Sequence, residues 1–205
     1  SYVGRHRIRL IHAFDVPTTI FGVPAARLFG LRAIASQLSY RDLYRKQDIA
    51  VLRWTDRIAD AVVVNSIAVL HHLIEDERVA PGKVVVSYNG VDPAEFHPGP
   101  GIQLPELADA TDIVGVVAAL RPEKRLDLLV RAFAEASANH PGARLLIAGS
   151  GPEVWNLEGL AQEQGITNRV LFVPARPDVA PYMRAMDIFV LPSRSESFPN
   201  ALLEA

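Results

Sequence analysis

Residues 187–205 read DIFVLPSRSESFPNALLEA, and the reading of the rest turns on them. The apolar run at 188–191 predicts a short buried strand of the parallel type, because a strand covered on both faces shows no polar alternation. Pro192 and the serine-rich residues after it end that strand. A helix is expected to begin near 197–199. Ser197 is a good N-cap, Pro199 is tolerated in a first turn whose N–H groups are unpaired anyway, and Ala201, Leu202, Leu203 and Ala205 favour helix. The first turn of such a helix offers free N–H groups and a positive dipole end at the strand's carboxyl end, which is a place for an anion.

Two carboxylates flank that place, Glu196 in the loop and Glu204 in the helix, with seven residues between them. At about 1.5 Å of rise per residue, Glu204 would stand roughly 7–9 Å along the helix and could hold a hydroxylated group beyond a bound anion. Glu196 could hold another on the near side. A polyol on each side of a phosphate describes a nucleotide sugar: sugar, diphosphate, ribose. Taken alone, two solvated surface glutamates are the simpler reading.

Upstream, the chain reads as two runs of alternating strands and helices. In the first run, strands are expected at 8–12, 31–36, 61–64 and 83–87. Helices are expected at 18–29 with Gly30 as cap, at 40–58, and from the Asn65-Ser66 cap to 77. This spacing predicts parallel βαβ units. The 40–58 helix carries Arg41, Arg45, Lys46, Arg53 and Arg57, read as a solvated face, with contact to an anionic acceptor or a membrane surface as the alternative. YNGVDPAEFHPG at 88–99 is dense in turn formers. The second run has strands at 113–118, 144–148 and 170–173 and helices at 153–164 and 177–186. Another helix places Leu126, Leu129, Val130 and Phe133 on one face. The expected fold class is α/β with two Rossmann-like domains, 1–98 and 113–205, joined by a linker at 99–112.

Composition narrows the function. The chain has 205 residues, 49% of them hydrophobic, a net charge of −2 and no cysteine. That is enough apolar content for buried cores, no basic excess of the kind a nucleic-acid partner needs, and no thiolate chemistry. No apolar run reaches the roughly 18–20 residues that cross a bilayer, which sets the expectation of a cytoplasmic protein, with at most peripheral contact at the inner membrane face. GSGP at 149–152 lacks the third glycine of a dinucleotide fingerprint, Val154 standing in its place, so a dehydrogenase is disfavoured.

The phrase LPSRSESFPNALLEA closely resembles the glutamate-pair signature of the retaining GT-B glycosyltransferases of family 4, also called group 1. YNGVD followed by Phe96, RPEK before Leu126, and GSGP resemble further motifs of that family. The resemblance implies a metal-independent transfer of a sugar from a nucleoside diphosphate to an unknown acceptor, lipid-linked or a growing glycan, with no cofactor. It assigns Glu196 to the transferred sugar, Ser197, Phe198, Pro199 and Asn200 to sugar or phosphate, Glu204 to the ribose and Lys124 to the diphosphate. Gly149 and Gly151 would pack beside the donor, and Pro174 and Ala175 belong to the loop that meets the base. Acceptor-side candidates are His12, Gln37 and Asn89, although His12 is equally well a hydrogen-bonded structural residue. No Asp-x-Asp metal motif occurs.

One departure concerns phosphate binding. The family usually carries Arg five residues before the lysine, where this chain has Ala119, and Arg121 is the nearest substitute. A nucleotide-sugar binding module without turnover and a GT-B epimerase are the alternative functions. The resemblance also sets the expectation of a fragment cut at both ends, both domains incomplete and inactive alone, because the last helix shows no stop signal before Ala205 and further strands would precede Ser1.

Overall fold

The chain, described by a computed structural model over residues 2–41 and 44–205, divides into two units. The first comprises residues up to Asn89 together with Glu196–Phe198, and the second Gly90–Ser195 with Pro199–Ala205. Among the described residues, no helix is long and apolar enough to cross a membrane.

In the first unit a short α1 (Tyr2–Arg5) leads into β1 (Leu10–Phe14), α2 (Val16–Leu28), β2 (Arg32–Gln37), α3 (Lys46–Ile58), β3 (Ala61–Val64), α4 (Ile67–His71) and β4 (Val84–Val86). The four strands are parallel and lie in chain order, β1-β2-β3-β4. Parallel neighbours cannot be joined by a tight turn, so each crossover carries a helix. Asp15 starts α2 by accepting the Thr18 N–H at 3.1 Å, and Pro17 sits in the first turn where its missing N–H costs nothing. Gly30 ends α2 at φ +66°: its N–H bonds Arg27 and the Leu31 N–H bonds Ala26, the paired closure that needs a left-handed residue. Ser66 starts α4 through the Val69 N–H, and α4 widens into a π turn at His72–Asp76. Val62, Val64, Val69 and Leu73 are fully buried, each contributing about 1.5–3 kcal/mol.

Two expectations for this unit need correction. The helix expected from residue 40 begins at Lys46, and residues 42 and 43 of that expectation lie outside the described residues. Arg41 is not on a solvated face at all but 1% exposed, bonded to Asp56 and, at 3.0 Å, to Glu77, which also receives Arg53 at 2.6 Å. The partners lie 15 and 36 residues away, so no local pattern announces them. Burial pushes the Asp56 carboxyl up and outweighs the pull of Arg41. Burial pushes Glu77 up as well, but the bonds from Arg53 and Arg41 overcome it and leave that carboxyl below its usual range.

The second unit contains β5 (Asp112–Val117), α5 (Leu126–Ala136), β6 (Ala143–Ala148), α6 (Val154–Glu163), β7 (Val170–Val173), α7 (Ala180–Met183), β8 (Ile188–Phe189) and α8 (Asn200–Glu204). Its parallel sheet has the order β7-β6-β5-β8. The expected face of α5 is buried at Leu126, Leu129, Val130 and Phe133, against Leu145, Ile147 and Leu157. Three elements are shorter than expected. α7 begins at Ala180 rather than 177, since Pro181 belongs in a first turn. β8 pairs over two residues and Ile188 is half exposed at the edge of the described sheet, not buried. α8 takes Pro199, not Ser197, as its N-cap, so Glu204 lies about 6 Å along it.

Candidate active site

The strand order of the second unit reverses at β5: the chain moves from β5 through β6 to β7, then returns to place β8 on the other side of β5. Loops leaving the carboxyl ends of β5 and β8 therefore flank the point of reversal, the usual ligand position in open parallel sheets. The loop after β5 carries Ala119, Arg121 and Lys124; the loop after β8 runs to Pro199. They meet where the Arg194 N–H donates to the Glu123 carbonyl at 2.9 Å. Sequence reasoning passed over this contact because it is made by backbone.

The glycines of GSGP let the β5 loop approach β6. A Cβ on Gly149 would stand 1.9 Å from the Ala118 carbonyl oxygen, and one on Gly151 2.3 Å from that of Leu120. In the space so kept, the Leu120 N–H bonds the Ser150 carbonyl at 3.0 Å and the Glu153 N–H bonds the Leu120 carbonyl at 3.1 Å. Lys124 ends a tight turn, Pro122–Lys124, and its N–H bonds the Arg121 carbonyl at 3.0 Å. Arg125 follows at φ +50° and bonds Asp127 at 3.0 Å, which holds that carboxyl below its usual range and anchors the turn to α5. Arg121 and Ala119 are exposed and Lys124 is half-buried.

Ala119, Gly149, Pro174 and Ala175 line one cleft of about 270 Å³ at the carboxyl ends of β5, β6 and β7. Ser150, whose hydroxyl oxygen accepts the Ala175 N–H at 3.0 Å, fixes its far wall, and Arg176 lies 5.9 Å from the centre of the Tyr182 ring. Neither Ser150 nor Tyr182 was singled out by sequence, although a serine between two glycines was a signal that this turn is specified. Glu204 lines a different cleft, of about 460 Å³, with Phe96, His97 and Arg184. Burial, and then the nearby Glu95, push the Glu204 carboxyl above its usual range.

The remaining candidates belong to the first unit. His12 Nε2 lies 2.8 Å from the Ser36 hydroxyl, across the β1–β2 pair. Gln37 ends β2, buried, with its amide nitrogen unpartnered. The Asn89 amide donates to the Phe198 carbonyl at 3.2 Å, and the Ser197 hydroxyl donates to Asn65. Glu196 sits in the same three-residue group, half-buried, and Asn200, the first residue of α8, is exposed. Among the described residues no cluster of three or more His, Asp or Glu is placed to hold a metal ion.

Comparison with known proteins fits this geometry. The family described as "Glycosyl transferases group 1" matches residues 104–205, and "Glycosyltransferase Family 4" matches residues 1–95. The D-inositol 3-phosphate glycosyltransferase of Mycobacterium marinum is 36% identical over 157 residues, covering 72% of this chain and 33% of the relative; that of Mycobacterium leprae is 35% identical over 160 residues, covering 72% and 36%. The chain thus spans about a third of the length of the curated relatives it matches. Among solved structures, Anabaena HepE in complex with UDP-glucose superposes with a TM-score of 0.85 at 22% identity, covering 98% of this chain and 58% of that one. Sucrose-phosphate synthase from Thermosynechococcus elongatus gives 0.81 at 23% identity, covering 99% and 55%. The two family matches leave out only residues 96–103, the paired parallel sheets have the expected architecture, and the chain belongs to the group 1 glycosyltransferases of GT-B fold.

Proposed function

We propose that this protein transfers a sugar from a nucleoside diphosphate to an acceptor hydroxyl with retention of configuration, and that the donor lies in the crevice between the β5 and β8 loops. The observation that carries this reading is the reversal of strand order at β5, which sets the Lys124 turn beside the start of the glutamate loop. In the reaction, the bond from the anomeric carbon to the diphosphate oxygen breaks while the acceptor oxygen bonds the same face of the sugar. The leaving phosphate takes the acceptor's proton.

Charge grows on the diphosphate as that bond breaks, and the Lys124 ammonium is the group assigned to stabilise it, a role that needs no metal. Ala119 offers no second cation, so Lys124 carries this role with at most Arg121 beside it. Glu196 holds the sugar, the backbone of Ser197 to Asn200 the sugar or phosphate, and Glu204 the ribose. Pro174 and Ala175 meet the base, with the cleft they share with Gly149 as its seat. His12, Gln37 and Asn89 stand on the acceptor side. The names of the relatives supply the first probes: UDP, UDP-glucose and D-inositol 3-phosphate.

Thermal shift checks the donor half. A ligand at about 100 times its dissociation constant stabilises by about 2.7 kcal/mol. One nucleoside diphosphate should raise the melting temperature of the second unit, and Lys124→Ala should remove the rise. Rises that survive Lys124→Ala but vanish in Arg121→Ala would reverse the two roles. Binding without hydrolysis or transfer to any acceptor would favour a nucleotide-sugar binding module.

A further inference from the structure

Asn65, the residue after β3, is 3% exposed, and the start of α4 does not need its side chain, because Ser66 supplies that cap through the Val69 N–H at 3.2 Å. A polar side chain buried this deeply requires a partner. The Asn65 carbonyl oxygen finds one 132 residues further along the chain, in the Ser197 hydroxyl. The next residue, Phe198, is gripped twice from the turn after β4: the Asn89 amide donates to its carbonyl at 3.2 Å, and its ring lies 5.6 Å from that of Tyr88, tilted by 44°. By their contacts, Glu196–Phe198 belong to the first unit. None of the three contacts uses an N–H of Ser197 or Phe198, and none touches the Glu196 carboxylate.

We infer that Asn65 is a positioning residue for Glu196, acting through Ser197, with Asn89 and Tyr88 completing the clamp. The inference rests on the reading of Glu196 as the carboxylate that holds the transferred sugar. Residues 190–199 separate β8 from α8, and a loop of that length has many conformations unless its neighbours fix it. A carboxylate on such a loop meets a sugar hydroxyl only once the loop is ordered, and a displacement of about 1 Å is enough to cost roughly a hundredfold in rate. Fixing the next two residues by hydroxyl, carbonyl and ring settles the direction of the Glu196 side chain before a ligand arrives. A clamp on those groups also keeps clear of the backbone N–H groups, for which a bound anion would compete. Asparagine and leucine are close in size, so if filling space were the only need at residue 65, an apolar side chain would serve better than an amide that must find a partner.

Isothermal titration of the whole chain with UDP and UDP-glucose, GDP and GDP-mannose, and ADP and ADP-glucose separates the nucleotide's part of the affinity from the sugar's. For the pair that binds most tightly, Asn65→Leu should weaken the sugar conjugate about tenfold and the free diphosphate by less than about twofold. Asn65→Asp keeps an oxygen for the Ser197 hydroxyl and should restore most of the lost affinity. Ser197→Ala should match Asn65→Leu, and the two together should be no worse than either alone, because both break one contact. The chain has two tryptophans, Trp54 in α3 and Trp155 in α6, so Trp155→Phe leaves Trp54 to report by its urea transition that the first unit of each variant is folded. If Asn65→Leu does not fold, Ser197→Ala, in a half-buried loop, carries the same comparison. The inference is overturned, with the donor reading intact, if diphosphate and conjugate are weakened equally or not at all, if Asn65→Asp is as impaired as Asn65→Leu, or if the double substitution is additive. Should none of the pairs bind, the donor reading fails and this inference with it.

Discussion

Residues 57–64, RIADAVVV, and 184–191, RAMDIFVL, are chemically alike, and the molecule uses them for different ends. Each places an aspartate just before a parallel strand, and each aspartate brackets one residue of the neighbouring strand. Asp60 accepts the Ala33 N–H at 2.7 Å and returns its own N–H to the Ala33 carbonyl at 2.8 Å. Asp187 does the same to Ile113, at 2.8 Å both ways. The strands then part company. β3 lies between β2 and β4 in an unreversed sheet, and Ser66 starts a helix almost at once. β8 lies beyond β5 in a reversed sheet, and a long loop intervenes before Asn200. Local chemistry sets the register in both; the position of the strand in the sheet decides which one stands at a reversal of order.

The tryptophans let each half of this comparison be disturbed and read separately, Trp54 reporting the first unit and Trp155 the second. The largest effect is expected from Arg41→Leu, which leaves Asp56 and Glu77 buried without their cation and should cost about 3–5 kcal/mol. In urea, the Trp54 transition should fall to lower denaturant while the Trp155 transition stays. Leu at both Arg41 and Asp56 should recover part of the loss. Next comes Gly149→Ala, whose methyl group meets the Ala118 carbonyl. It should cost about 1–3 kcal/mol, seen by Trp155 alone, and should weaken nucleotide binding by spreading the β5 loop.

The smallest effects test the shared device. Asp60→Ala and Asp187→Ala each remove the carboxylate half of a bracket at a partly exposed site, leave the backbone half in place, and should cost about 1 kcal/mol, each in its own unit. Asp60 adds a pH signature. The Ala33 N–H, and after it Arg27, hold its carboxyl below the usual range. Its contribution is therefore full above the unfolded value and is lost as pH falls through the lower folded value, so Asp60→Asn should flatten the acid limb of the Trp54 transition. Glu204 has the opposite sign: raised by burial, it destabilises the second unit once ionised, and that cost fades as pH falls.

Much of this was legible. Val62 to Val64 and Val170 to Val173 read as strands because β-branched and apolar runs of that length admit little else, and Gly30 announced its left-handed cap. The inward face of α5 followed from spacing alone. Arg41 did not, because an arginine looks the same in sequence whether it meets water or two carboxylates brought in from other helices. α8 starts at the end of the expected 197–199 range, with Pro199 as its cap in place of Ser197, whose hydroxyl is spent on Asn65. The candidate donor residues were legible as motifs, while the contact that draws their loops together, Arg194 to Glu123, is made by backbone and left no trace in side chains.

The central claim is that a nucleoside diphosphate sits where the second sheet reverses. Amide hydrogen exchange with and without saturating UDP tests it most directly. Protection is expected in three loops, 119–125 after β5, 174–176 after β7 and 190–200 after β8, with the amides of β1 to β4 unchanged. Protection confined to the first unit, or protection in the second unit that spares the 119–125 loop, would contradict the account.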